Sequence, residues 1–135
     1  MIYPNNFEQK IGFNEIRTLL RERCLSTLGK EQVDLIEFST DTEQVNRWLA
    51  EVREFRLIQE GTEPFPLDNV FDVRESVARI RLEGTYMEEG ELFDLKRSME
   101  TIIAVVRFLS MGDELPNGDI NHTYPALYAL SDGVA

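Results

Sequence analysis

Residues 40–61 read TDTEQVNRWLAEVREFRLIQEG, and this stretch determines the fold class of the chain. Thr40 and Glu43 have the spacing of a capping box, in which two side chains satisfy backbone N–H groups of the first helical turn. Apolar residues then recur at helical spacing: Val45, Trp48, Leu49, Val52 and Phe55. Gly61 follows, and glycine commonly terminates a helix. The stretch therefore predicts one long amphipathic helix that ends at about Glu60.

Two shorter helices are predicted before this one. Phe13, Ile16, Leu20 and Cys24 recur at helical spacing, so residues 13–24 predict an amphipathic helix. Ser26 is a residue type that caps helix N-termini and predicts the start of a second helix. The apolar residues of this second helix are expected to be buried: Leu28, Val33 and Ile36.

Downstream of Gly61, connectors alternate with further helices. Pro64 and Pro66 each fix the backbone angle φ and predict a rigid connector. An apolar stripe over Val70–Ile80 predicts another helix. Residues 85–88, TYME, have the spacing of a second capping box and predict a long helix that extends to Leu109.

The end of the chain predicts a polar turn and a short last helix. The polar turn covers residues 112–118, and Pro125 suits the first turn of a helix. Because no hairpin signal flanked by alternating apolar residues is present, no sheet is predicted. The sequence predicts an all-α fold in which residues 1–135 form a single domain, a helical bundle with two long helices.

The composition bounds the possible function classes. The chain has 25 Asp and Glu against 14 Lys and Arg, which gives a net charge of −11. So negative a surface repels phosphate backbones, which argues against a free-standing nucleic-acid-binding protein. No export signal and no apolar run of about 20 residues is visible, so we expect a cytoplasmic protein without a membrane partner.

The sequence offers little for catalysis or metal binding. Cys24 and His122 are the only thiol and imidazole, and Cys24 lies on an apolar stripe that predicts a core position. Residues 113–124 resemble a calcium loop, but Leu115 and Tyr124 occupy ligand positions. The sequence therefore predicts no catalytic, cofactor-binding or metal-binding residue, and places His122 in a solvated polar turn.

Four segments in the same order resemble a known family. They are residues 7–30, FEQKIGFNEIRTLLRERCLSTLGK; residues 42–55, TEQVNRWLAEVREF; the Asp72-Val73-Arg74 and Ile80–Gly84 pair; and Glu91-Leu92 before Leu95. Together they resemble the opening of the Smr-nuclease-bearing branch of the MutS family, the second bacterial MutS type. The likeness spans nearly the whole chain.

The resemblance implies a segment of the family's core and lever region, at the N-terminal part of a longer parent protein. Such a parent would be a dimer that uses ATP and Mg, binds double-stranded or branched DNA and carries a C-terminal Smr endonuclease. It would act in DNA repair and recombination control, and some members act on collided ribosomes. The segment itself would be non-catalytic.

Two alternatives stay open at this stage. Arg17, Arg21, Arg23 and Lys30 are the candidate nucleic-acid contacts, although they would equally suit a solvated helix face or pairs with nearby acids. The second function class is a helical interaction or dimerisation module unrelated to DNA. It would use one of two apolar stripes: Val45, Trp48, Val52 and Phe55, or Met99, Ile102 and Val106.

Overall fold

The computed structural model describes residues 6–132, which form seven helices and one small sheet. In chain order these are α1 Phe7–Lys10, α2 Phe13–Arg23, α3 Thr27–Asp34, α4 Thr42–Glu60, α5 Arg74–Arg79, α6 Glu89–Leu109, β1 Gly112–Glu114, β2 Ile120–His122 and α7 Pro125–Ala129. The chain is thus mostly helical, which is compatible with the predicted all-α class, and α4 and α6 are the two long helices that the sequence predicts.

Helices α2 and α3 begin where the sequence predicts, whereas the short helix α1 was not predicted from the apolar spacing. The Ser26 hydroxyl accepts a hydrogen bond from the Gly29 N–H at 3.1 Å and caps α3. Val33 is buried as predicted, whereas Ile36 lies beyond the end of α3 and is 40% exposed, so its predicted burial is wrong. Cys24 is half-buried at the end of α2, where its Sγ donates to the Leu20 carbonyl at 3.3 Å.

The starts of both long helices differ from the predicted capping boxes. Asp41 caps α4 in place of Thr40, because its carboxylate accepts from the N–H groups of both Glu43 and Gln44. Helix α6 is capped by Glu88 together with Glu91. Thr85, the predicted cap, instead donates its hydroxyl to carbonyls at the end of the preceding turn.

Helix α5 is shorter than the stripe over Val70–Ile80 predicts. It begins at Arg74 because the Asp72 carboxylate accepts from the Arg74 N–H at 3.2 Å and stops the helix from extending backwards. The apolar stripe indicates which face of the segment is apolar, but it does not fix the first residue of the helix. The hydrogen bond from the Arg74 N–H to Asp72 does.

The predicted polar turn at residues 112–118 is a β-hairpin. Strands β1 and β2 pair antiparallel, with Gly112 opposite His122 and Glu114 opposite Ile120. The apolar periodicity did not predict this hairpin, because both strands lie at the surface and bury no apolar face. His122, predicted in a solvated turn, is half-buried in β2 and stacks on Tyr128 at 3.7 Å between ring centroids.

The apolar core lies where α4, α6 and α7 meet. Ile58, Leu109 and Leu127 are its buried residues, one from each helix. Half-buried side chains pack around them: Phe55, Phe65, Val105, Phe108 and Tyr124. Phe65 comes from the connector, between its two prolines, and packs edge-on against Phe55 and Phe108 with centroids 5.2 and 5.3 Å away. The rigid connector therefore places an aromatic ring in the core.

Candidate functional site: basic residues, helix junctions and open apolar faces

Arg17 is engaged within the N-terminal helices. Its guanidinium pairs with Glu8 of α1 at 3.2 Å and donates to the Ile36 carbonyl at 2.8 Å. It also lies over the Phe13 ring, 5.0 Å from the centroid. The side chain is only 20% exposed, so a phosphate that approached Arg17 would compete with three existing contacts.

The other three candidate basic residues divide into one paired and two open side chains. Arg21 pairs with Asp34 of α3 and also reaches the Lys30 carbonyl. Arg23, at the last residue of α2, and Lys30 on α3 are both exposed. The structure thus brings Arg17 and Arg21 into internal ion pairs, and nucleic-acid contact by any of the four residues stays a prediction.

The Asp72-Val73-Arg74 segment forms a junction between α3 and α5. The Arg74 guanidinium donates to both carboxylate oxygens of Glu31, at 2.9 and 2.8 Å, and to both of Asp72, at 2.9 and 2.7 Å. Planar, bidentate contact of this kind fixes the relative orientation of the two groups as well as their distance. Asp72 also accepts from the Thr27 hydroxyl at 3.4 Å. The start of α5 is thereby tied to α3.

A second junction joins α5 to the start of α6 through Glu91. This carboxylate accepts from the Glu88 N–H at 2.9 Å and from the Ser76 hydroxyl at 3.0 Å, and it pairs with Arg79. Glu91 therefore completes the cap of α6 and holds α5 beside it. The segments Asp72–Arg74 and Glu91-Leu92 carry the family resemblance, and both supply helix-joining contacts.

These contacts change the acid–base properties of their groups. The Arg74 side chain, followed by the Arg74 N–H, lowers the pKa of Asp72 to about 2. Arg74 likewise lowers the pKa of Glu31. The pKa of Glu91 is lowered first by the Glu88 N–H and then by Arg79. All three carboxylates are held in their charged form.

A third polar contact joins α4 to α7. The Glu54 carboxylate accepts from the N–H groups of Ala126 and Leu127 at 3.0 and 2.8 Å. The N-cap residue of α7 is Tyr124, and its side chain makes no capping hydrogen bond. Glu54 therefore supplies the capping from another helix, across 72 residues of sequence.

Both long helices carry apolar side chains that the described residues leave uncovered. On α4, Trp48 is 40% and Val52 is 60% exposed, while Val45 and Phe55 of the same stripe are half-buried. On α6 the exposed large apolar residues Leu92, Met99 and Ile103 recur on one helical face, and Phe93 and Ile102 lie to either side of it. Val106 is half-buried. An amphipathic helix normally buries such a face against another element.

Within residues 6–132, no three His, Cys, Asp or Glu side chains gather in a way that could hold a metal ion. Over the same range, no helix combines the length and apolar character that a bilayer span requires.

Sequence reasoning did not predict the long-range contacts of Glu31, Glu54, Arg74 and Glu91. These contacts join residues that lie 12 to 73 positions apart, beyond any helical or strand period. Local signals exist for the short-range contacts: an acid two residues before Arg74 suits a capping contact, and Glu88 and Glu91 have the spacing of a capping box.

Comparison with known proteins gives a consistent set of relatives. A protein of Alkaliphilus oremlandii named Endonuclease MutS2 is 28% identical over 125 residues, which cover 93% of this chain and 15% of that protein. The Endonuclease MutS2 of Symbiobacterium thermophilum is 32% identical over 106 residues, or 78% of this chain and 13% of the relative. That of Geobacillus kaustophilus is 32% identical over 70% of this chain and 13% of its own length.

The matches cover most of this chain but only a small part of each relative. No protein-family profile matches the chain, and no solved structure matches it. The chain spans about 13–15% of the length of the three relatives named above. Since the likeness extends over most of this chain and the relatives share one name, the comparisons support a MutS2-related family for this chain.

Proposed function

We propose that this chain is a non-catalytic core and lever segment of a MutS2-like endonuclease. The observation that carries the proposal is the likeness to proteins named Endonuclease MutS2, which extends over up to 93% of this chain but at most 15% of a relative. A match that covers most of this chain and a small part of each relative is what a segment of a larger protein would give.

The geometry of the long helices supports a mechanical role. At about 1.5 Å of rise per residue, the 19 residues of α4 and the 21 of α6 extend about 29 and 32 Å. Helices of this length transmit displacement when their ends are anchored, and α6 is anchored at both ends. Glu91 holds its start beside α5, and Leu109 packs in the core at its end.

The activities of the parent protein follow as part of the same proposal. The parent would be a homodimer that binds and cleaves branched or double-stranded DNA, hydrolyses ATP with Mg, and serves DNA repair or recombination control. Ribosomes are a further candidate target. The present residues would transmit motion between the parts that perform this chemistry. Among the four candidate nucleic-acid contacts, Arg23 and Lys30 are the two exposed side chains.

The test is a substitution on the uncovered face of α6 in a full-length parent. Ile102 and Ile103 are 48% and 47% exposed, so Ile102→Glu with Ile103→Glu should leave the fold of this segment intact. If the face packs inside the parent, the buried charges should lower DNA cleavage several-fold. Arg97→Glu, at an exposed position of the same helix that lies away from Ile103, is the control. Undiminished DNA cleavage by the double variant would contradict the lever role.

The second candidate function is a helical interaction module unrelated to DNA. The observation that favours it is the exposure of Trp48 and Val52 on α4 and of Met99 and Ile102 on α6, which the described residues do not bury. Under this alternative, the same α6 double variant would abolish binding to a protein partner, and no DNA-binding or nuclease activity would accompany the native protein.

A further inference from the structure

A groove separates the end of α3 from the first half of α4. It has a volume of about 610 Å³ and is lined by apolar side chains from both sides. These are Leu35, Ile36 and Phe38 after α3, and Trp48 and Val52 on α4. Each of the five is between 40% and 67% exposed. Because residues four apart lie on one helical face, Trp48 and Val52 form a continuous apolar wall.

The charged residues that line the groove are both acidic. Glu37 lies on one side and Glu51 on the other, and the lining contains no basic residue. Burial raises the pKa of Glu51, which marks a carboxylate that is partly desolvated. Arg17 approaches the same end of α3, but its guanidinium is engaged by Glu8 and the Ile36 carbonyl and does not line the groove.

We propose that this groove binds an amphipathic helix of a partner protein, with one apolar face flanked by Lys or Arg. The apolar walls suit a row of aliphatic side chains spaced by three and four residues, as in other helix-in-groove complexes. Basic flanking residues would neutralise Glu37 and Glu51, and the net charge of −11 attracts a basic partner over longer distances. A second copy of this chain carries the same negative net charge and would be repelled. The inference goes beyond the proposed function and does not depend on the relationship to MutS2.

Trp48 makes the proposal directly measurable. It is the only tryptophan of the chain and lies in the groove, so burial by a ligand should shift its fluorescence emission to shorter wavelength. The probes are two synthetic helical peptides with the same Leu face, one flanked by Lys and the other by Glu. We expect the Lys peptide to bind about tenfold more tightly than the Glu peptide at low salt.

Charge reversal in the groove distinguishes recognition of a basic helix from nonspecific apolar binding. In the Glu37→Lys and Glu51→Lys double variant, the preference should reverse in favour of the Glu peptide. Glu83→Lys with Glu89→Lys adds the same charge outside the groove lining and should leave the preference unchanged. Val52→Asp should abolish binding of both peptides, and it does not threaten folding because Val52 is 60% exposed.

Three results would overturn the inference. Equal affinity for the Lys and Glu peptides would show that Glu37 and Glu51 do not determine which helix binds. If neither peptide shifts the Trp48 emission, an amphipathic helix is not the ligand of the groove. An emission shift that grows with protein concentration alone, together with dimers in sedimentation, would assign the groove to a second copy of the chain.

Discussion

Replacement of Glu54 by alanine should destabilise the chain, because this carboxylate caps a helix that contributes a residue to the apolar core. Glu54 lies on α4, and its carboxylate receives the first N–H groups of α7 at 3.0 and 2.8 Å. Helix α7 has five residues and no side-chain cap from Tyr124. Its Leu127 is one of the three buried core residues, so a loosened α7 would also open the core.

The size of the effect follows from the two hydrogen bonds. A hydrogen bond to a charged group contributes about 1.5–3 kcal/mol to stability. The two bonds share one half-buried carboxylate, so their contributions do not add fully. We expect Glu54→Ala to lower the free energy of unfolding by about 2–3 kcal/mol. Glu54→Gln keeps an oxygen acceptor and loses the charge, and should cost about 1 kcal/mol.

Urea unfolding followed by far-ultraviolet circular dichroism measures these differences. Glu60→Ala is the matched control, because Glu60 lies on the same helix, is 64% exposed, and pairs only loosely with Arg56 at 3.6 Å. Its effect should stay within about 0.5 kcal/mol. If Glu54→Ala is no less stable than Glu60→Ala, the carboxylate does not hold α7 in place and the reasoning is refuted.

Four further predictions concern the junctions, the hairpin, helix α6 and the basic residues. Because the pKa of Asp72 is lowered to about 2, its stabilising contribution is present above about pH 4 and is lost as the pH falls towards 2. Asp72→Asn should therefore flatten the dependence of unfolding free energy on pH in that window, and equal slopes for both proteins would contradict it. A Cβ at Gly112 would overlap the Asn121 carbonyl, so Gly112→Ala should speed amide exchange across residues 112–122. Gly90→Ala in α6, where a Cβ meets nothing within 4 Å, should instead stabilise by about 0.5–1 kcal/mol. In a full-length parent, Arg23→Glu with Lys30→Glu should weaken DNA binding and reduce its salt dependence if these residues contact phosphate. Glu22→Gln with Gln32→Glu, which alters neighbouring positions without a net charge change, serves as control.

The helices were predictable because their signals are local. Helix α3 begins after Ser26, and α7 begins at Pro125, as the capping preferences of these residues require. The ends of α4 and α6 were also close to prediction, while their starts moved to Asp41 and Glu88. A capping box is a pattern of letters, and the nearest carboxylate that reaches the free N–H groups decides the real boundary.

The tertiary contacts were not predictable by the same reasoning. Nothing near Glu54 in the sequence indicates that it receives α7, and nothing near Glu31 indicates Arg74. The hairpin escaped for a different reason, because an exposed strand pair needs no alternation of apolar and polar residues. Of the four candidate basic residues, the sequence suggested one group, and only the structure separates the paired Arg17 and Arg21 from the open Arg23 and Lys30.

The polar junctions and the open apolar faces have a common explanation. Arg74 joins α3 to α5, Glu91 joins α5 to α6, and Glu54 joins α4 to α7. Exposed ion pairs contribute little free energy in water, yet contacts of fixed geometry set the angles between helices. A chain that orients its helices through such contacts can leave apolar faces such as those of α4 and α6 uncovered. Under the proposed function, those faces would be available for apolar burial against further helices of a parent protein. Polar contacts would then set the orientations of the helices, and apolar burial would hold the chain within the larger assembly.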